Sequence, residues 1–267
     1  MRANRLRQIW QDGGAAINGW LQLPHGFAAE VMAAQGWDSL TVDLQHGPLD
    51  YDVALTLLQA FSGSEATPLA RVPWNEPGII MKMLDGGCYG IICPMVNTAE
   101  EAERFVGACR YPPKGYRSFG PTRVSFYAGA DYAEHANETV IAMAMIETAQ
   151  AVENLDAILD TPGLDGVYVG PADLHQSMHG KPGVDHKEPR MVEVLDQICA
   201  GCRRRGLIAG IHVASTDYAR YIIERGYQFV TIQSDARWLA VAAKQAVDAA
   251  RGAGAPVQGV RSAAGPY

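Results

Sequence analysis

Residues 140–173 read VIAMAMIETAQAVENLDAILDTPGLDGVYVGPAD. Two short apolar runs, Val140–Ile146 and Gly166–Gly170, flank a stretch, Ala149–Leu159, whose apolar residues recur at helical spacing. Continuously apolar runs of this length are what strands covered on both faces of a parallel sheet look like, so the segment reads as strand, helix, strand. The same rhythm extends in both directions. Further strands are expected at Ala15–Leu23, Ser39–Leu44, Pro68–Val72, Gly90–Pro94, Ile208–Val213 and Phe229–Gln233. Helices are expected at Gly26–Gln35, Val53–Phe61, Glu76–Asp85, Ala99–Ala108, Val192–Arg205, Thr216–Arg225 and Leu239–Arg251. Eight βα units, with no GxGxxG or Walker sequence after the first strand, favour a closed (β/α)₈ TIM barrel over a doubly wound sheet.

The bulk properties agree. A chain of 267 residues, 48% hydrophobic and 19% charged, suits one barrel of about 250 residues. One domain is expected over 1–252, followed by a loosely ordered Gly/Ala/Pro-rich tail at 253–267. A net charge of −7 offers nothing to attract nucleic acid or an anionic membrane. No apolar run approaches membrane-spanning length, and Met1–Gln11 lacks the apolar stretch of a signal peptide, so a cytoplasmic protein is expected. The 5 cysteines imply no disulfide framework. Cys199 and Cys202 form a CxxC inside a helical pattern with no second ligand pair, and read as buried small hydrophobes.

Two stretches break the rhythm. Tyr111–Asn137 and His175–Pro189 read as long irregular loops, and such insertions in a barrel are usually functional. On the second loop His179 and His186 are expected to be exposed. On the first, Arg117 and Arg123 could meet an acidic substrate or a second subunit.

In a (β/α)₈ barrel the site is built where strands finish. The strand ends here carry Asp43 and His46, then Arg71, then Glu147, then Asp173, then His212. Charged groups ending apolar strands are costly unless paired, solvated or bound to something, so four on different strands point to one site. Glu147 and Asp173, from adjacent strands, are oxygen donors suited to Mg²⁺ or Mn²⁺; the alternative is that both pair with Arg71 and hold no metal. The lysines, Lys82, Lys114, Lys181, Lys187 and Lys244, all fall in helical or loop segments, which argues against a Schiff base on a strand.

DLQHGP at 43–48, ARVPW at 70–74, MLDGGCYGIICPMV at 83–96, YPPKGYRSFGP at 111–121, MIET at 145–148 and GPADL at 170–174 occur in that order. Over about residues 5–250 the chain thereby resembles the HpcH/HpaI aldolases, class II pyruvate aldolases on the phosphoenolpyruvate/pyruvate type of barrel. The resemblance implies Glu147 and Asp173 as ligands of a divalent ion (Mg²⁺, Mn²⁺ or Co²⁺), His46 as base, Arg71 as stabiliser of enolate charge and Asp85 as the carboxylate that sharpens His46. It implies backbone around Gly170, Pro171, Ala172 and Asp173 as the cradle for a substrate carboxylate, with Met145 on the pocket wall and Trp20 or a neighbouring subunit completing it; His212, read from the end of the seventh strand, either lines the pocket or is a satisfied structural histidine. It further implies small 2-oxo acid and aldehyde substrates, pyruvate or hydroxypyruvate as donor, and a homo-hexamer arranged as a trimer of dimers. Gln45, Met145 and His175 depart from the pattern of many relatives and are expected to retune the pocket. A citramalyl- or malyl-CoA lyase, a decarboxylase or tautomerase of small 2-oxo acids, and a non-catalytic 2-oxo-acid sensor are the alternatives; scattered basic residues offer no groove for CoA phosphates, and a sensor needs neither His46 nor Asp85.

Overall fold

In the computed structural model, which describes residues 1–252, eight parallel strands close into a barrel in sequence order. They are β1 (Ala16–Leu21), β2 (Ser39–Asp43), β3 (Thr67–Arg71), β4 (Gly90–Cys93), β5 (Ile141–Ile146), β6 (Gly166–Val169), β7 (Ile208–Val213) and β8 (Phe229–Ile232). The helices are α1 (Arg5–Gln11), α2 (Gly26–Ala33), α3 (Tyr51–Ala60), α4 (Pro77–Asp85), α5 (Ala99–Cys109), α6 (Thr122–Ala128), α7 (Tyr132–Thr139), α8 (Ala149–Glu153), α9 (Leu155–Leu159), α10 (Pro171–His179), α11 (Pro189–Arg205), α12 (Thr216–Glu224) and α13 (Asp235–Ala250). The expected tail at 253–267 lies outside the described residues.

The (β/α)₈ expectation holds, and strand ends fall within one or two residues of those read from the sequence. Three expectations are corrected. Ala149–Leu159 is two helices, α8 and α9, meeting at Asn154. Tyr111–Asn137 is not simply irregular, for α6 and most of α7 lie within it. His175–Pro189 begins inside α10, so only its second half is loop.

Period-two alternation along each strand sorts side chains between two cores. On β2, Leu40 and Val42 pack outward in the large core beneath the helices. Ser39, Thr41 and Asp43 point into the barrel, where Asn18 accepts hydrogen bonds from Ser39 Oγ at 2.7 Å and Thr41 Oγ1 at 3.1 Å. A second, smaller apolar cluster fills the barrel, with Trp20, Leu69, Ile92, Met143, Met145, Tyr168 and Phe229. Leu6 of α1 joins it from below, plugging the end where the strands begin. All 5 cysteines are buried and unpaired, the CxxC pair among them on α11. Lys82 lies on α4 and Lys244 on α13, while Lys114, Lys181 and Lys187 lie on loops, so no lysine projects from a strand. Among the described residues no helix is long and apolar enough to cross a membrane.

Candidate active site

The inward-facing series of several strands end in polar groups at the same rim. Asp43 and Arg71 stand directly opposite in the β2–β3 register. Their side chains meet in a bidentate pair, Arg71 donating from Nε to Oδ1 and from Nη2 to Oδ2, both at 2.8 Å. The carboxylate also accepts from Trp20 Nε1 at 3.1 Å and Gln22 Nε2 at 2.9 Å. Burial alone would raise the Asp43 pKa, but the Arg71 hydrogen bonds and charge, with those two donors, hold it down to about 2. The guanidinium lies 4.9 Å from the Trp20 ring centre, so it is gripped on an edge and a face. Arg71 is therefore a fixed positive charge.

His46 stands on the turn that follows β2. Asp43 Oδ1 accepts the backbone N–H groups of Gln45 and His46, at 3.1 and 3.3 Å, and so sets the turn. A side chain at Gly47 would meet the Asp43 carbonyl at 2.3 Å, which ties the close chain reversal to glycine. The imidazole is exposed and lines the pocket.

Glu147 follows β5 and is 2% exposed. One oxygen accepts the Met95 N–H at 2.7 Å, an amide turned toward it by a left-handed residue, φ 56°. Burial raises the Glu147 pKa to about 7; the Met95 amide and Arg71 lower it, and Asp173 raises it further. Across from it stands Gly170, where a Cβ would lie 2.3 Å from Glu147 Oε2. Glycine is required there to admit the carboxylate. Pro171 opens α10 without a side-chain cap, so the N–H groups of Ala172 and Asp173, both pocket-lining residues, have no protein acceptor among the described residues. Asp173 itself is exposed at the rim.

His46, Arg71, Gly170, Pro171, Ala172 and Asp173 border a cavity of about 210 Å³, large enough for a small acid, with Glu147 packed behind Gly170 and Asp43 behind Arg71. Trp20, Met145, Tyr168 and His212 form its floor and wall. His212 sits edge-on to Trp20, ring centres 5.3 Å apart, and within 3.4 Å of the Tyr168 hydroxyl. Burial and the Arg71 charge push its pKa down to about 4, so it is neutral near pH 7. The Tyr168 hydroxyl donates to Thr231 at 2.7 Å, which anchors the ring.

Asp85 is not brought to this site. It closes α4, which runs from the rim toward the opposite end of the barrel, and there it accepts a 2.6 Å bond from Arg117. Within the single chain Asp85 and His46 make no hydrogen bond or ion pair. Arg117 is 1% exposed and also donates to Tyr132, while Arg123 donates to the Gly86 carbonyl, so neither reaches the pocket. His186, expected to be exposed, is buried. Pocket residues not anticipated are Gln22, Tyr168, Val184 and Ser234. Tyr168 was readable, since it precedes Gly170 by two on the same strand face.

A family model described as HpcH/HpaI aldolase/citrate lyase matches residues 18–242. The chain belongs to that family. The hydroxypyruvate/pyruvate aldolase of Rhizorhabdus wittichii is 41% identical over 248 residues, covering 93% of this chain and 99% of the relative. The 4-hydroxy-2-oxo-heptane-1,7-dioate aldolase of Escherichia coli is 36% identical over 244 residues, covering 90% and 92%. Among solved structures, an HpcH/HpaI aldolase/citrate lyase family protein from Burkholderia cenocepacia superposes with a TM-score of 0.87 at 30% identity, covering 93% of this chain and 100% of that one. The protein is a carbon–carbon lyase of the aldolase kind.

Proposed function

We propose that the pocket catalyses reversible aldol addition of pyruvate or hydroxypyruvate to an aldehyde, with Glu147 and Asp173 holding a divalent ion. What carries this reading is the unpaired state of Glu147. Arg71, the cation that could have neutralised it, is committed to Asp43 through both carboxylate oxygens. A buried carboxylate with its pKa near 7, beside a second carboxylate, is a place that a cation relieves. All-oxygen donors suit Mg²⁺, Mn²⁺ or Co²⁺. Such an ion supplies Lewis acidity toward a 2-oxo acid.

The chain's own groups do the rest. The free N–H groups of Ala172 and Asp173, with Gly170 and Pro171 keeping the backbone close, receive the substrate carboxylate at the positive end of α10. Arg71 steadies negative charge as it develops on the keto oxygen, and its anchoring by Asp43 and Trp20 spares any reorganisation at that moment. In cleavage, His46 takes the proton from the C4 hydroxyl as the C3–C4 bond breaks and the aldehyde leaves; in synthesis it returns that proton. His212 stays neutral and shapes the floor with Trp20 and Met145. If Asp85 sharpens His46, another copy of the chain must deliver it, which fits the trimer-of-dimers hexamer implied by the resemblance.

The reading is tested by mixing hydroxypyruvate or pyruvate with a short aldehyde such as glycolaldehyde and weighing the product by mass spectrometry. An adduct is expected with Mg²⁺, Mn²⁺ or Co²⁺ and none in chelator. Arg71→Ala should lower kcat by about 10²–10³. Full condensation in chelator, with a borohydride-trapped adduct on lysine, would overturn it.

A further inference from the structure

One group of titratable side chains lies outside the mechanism above. His175 on α10, and His186 and Glu188 on the loop that joins α10 to α11, place one donor atom each within 4.8 Å of the others. Among the described residues no other set of three or more histidine, cysteine or carboxylate side chains does so. Both imidazoles are about 5% exposed, an unusual fate for two neighbouring histidines, and their rings stack with centres 4.2 Å apart. His175 Nε2 lies 3.6 Å from one oxygen of Glu188, and His186 Nδ1 lies 3.3 Å from the other.

The surroundings hold these side chains in place. His175 Nδ1 lies 2.7 Å from the Lys181 carbonyl, an acceptor that fixes the proton on Nδ1 and leaves the Nε2 lone pair toward Glu188. The His186 carbonyl accepts the Tyr218 hydroxyl at 2.6 Å. Asp185, held left-handed at φ 54°, accepts the Ala214 N–H at 2.8 Å and the Ser215 hydroxyl at 2.7 Å, which moors the loop to the end of β7. His186 turns Nδ1 to Glu188, and its Nε2 is buried without a partner among the described residues. A Cβ at Gly183 would meet the His186 ring at 2.5 Å, so the loop is packed tightly against it.

We infer that His175, His186 and Glu188 form a second metal site, selective for a borderline transition ion of the Zn²⁺ class and distinct from the oxygen-lined pocket. Two imidazole nitrogens and one carboxylate are a donor set that zinc accepts and that Mg²⁺, which seeks oxygen, does not. The fourth position is left to water. His179, whose ring centre is 4.7 Å from that of His175, stands beside it. Asp173 and His175 are two residues apart on α10 and so project from different faces of the helix, one to the pocket and one to the loop. The ion's role is to pin the 180–188 loop, whose Val184 borders the catalytic cavity. The inference does not rest on the aldolase reading.

The test is equilibrium dialysis of the full chain against Zn²⁺ in excess Mg²⁺, with bound metal counted by atomic emission. Wild type and Glu147→Gln should each retain a zinc that Mg²⁺ does not displace. His186→Gln and Glu188→Gln should bind it at least about tenfold more weakly. Glu188 is 56% exposed in its side chain, so its variant keeps the test valid should His186→Gln fail to fold. In NMR, zinc should shift the ring signals of His175 and His186. Equal zinc retention in Glu188→Gln and wild type, or zinc lost from Glu147→Gln alone, would overturn the proposal, as would a wild type that retains none.

Discussion

Replacing Glu147 by Gln should make the metal-free protein more stable, and by an amount that depends on pH. The Glu147 pKa climbs from 4.5 to about 7 on folding, chiefly through burial. At about 1.4 kcal/mol per pH unit that climb is a penalty of about 3 kcal/mol on the ionised, folded form. The sign follows from proton counting. The folded state holds this proton more tightly than the unfolded chain, so stability falls as pH rises between 4.5 and about 7. Below that window both states are protonated and the penalty vanishes; above it the whole penalty is present. Glutamine keeps an oxygen for the Met95 amide and carries no charge. In chelator, urea unfolding at pH 8 should therefore show Glu147→Gln more stable by about 3 kcal/mol, with the difference shrinking toward zero near pH 4. Adding Mg²⁺ or Mn²⁺ at about 100 times its Kd should restore about 2.7 kcal/mol to wild type and nothing to the variant. Equal stability of the two proteins at pH 8 in chelator would mean the carboxylate is neutralised within the fold, and the reasoning from its unpaired state would collapse.

Three further outcomes are expected. Asp43→Asn leaves Arg71 nearly buried and without its counter-charge, which should cost about 3–5 kcal/mol in chemical denaturation. Gly170→Ala drives a methyl to 2.3 Å from Glu147 Oε2, so divalent-ion affinity measured by calorimetry should drop at least about tenfold while the circular dichroism of the barrel persists. Met145→Gln puts an amide on the pocket wall, and the ratio of kcat/KM values for hydroxypyruvate and pyruvate should change; an unaltered ratio would show that this side chain does not set donor choice.

Much of this protein was readable because a barrel strand is a simple object. Short apolar runs located all eight strands, and the rule that sites form at strand ends picked out Asp43, His46, Arg71, Glu147, Asp173 and His212 together. What the one-dimensional reading missed depends on register and direction. Asp43 and Arg71 are 28 residues apart, and their pairing becomes visible only when β2 and β3 are aligned. Asp85 could have been placed correctly, since a helix that follows a barrel strand must return to the other end. Any approach of Asp85 to His46 therefore belongs to an assembly of chains, which one sequence does not display. His186 looked exposed because a Gly- and Lys-containing loop usually is. It is buried because the loop folds back on α10, a contact with no local signature. In Tyr111–Asn137, proline and glycine at 112–121 masked the short helices α6 and α7 that follow.

Enolate formation from a 2-oxo acid in this pocket, with the help of a divalent ion, is read out by proton exchange at C3 of pyruvate. The protein is stripped with chelator, placed in D₂O with pyruvate and followed by NMR, then supplied with Mg²⁺, Mn²⁺ or Co²⁺. No exchange is expected in chelator, exchange when the ion is returned, and loss of that exchange in Glu147→Gln and His46→Ala. Exchange that is indifferent to the ion, or no exchange with any of the three ions for either pyruvate or hydroxypyruvate, would contradict ion-assisted enolate formation in this pocket.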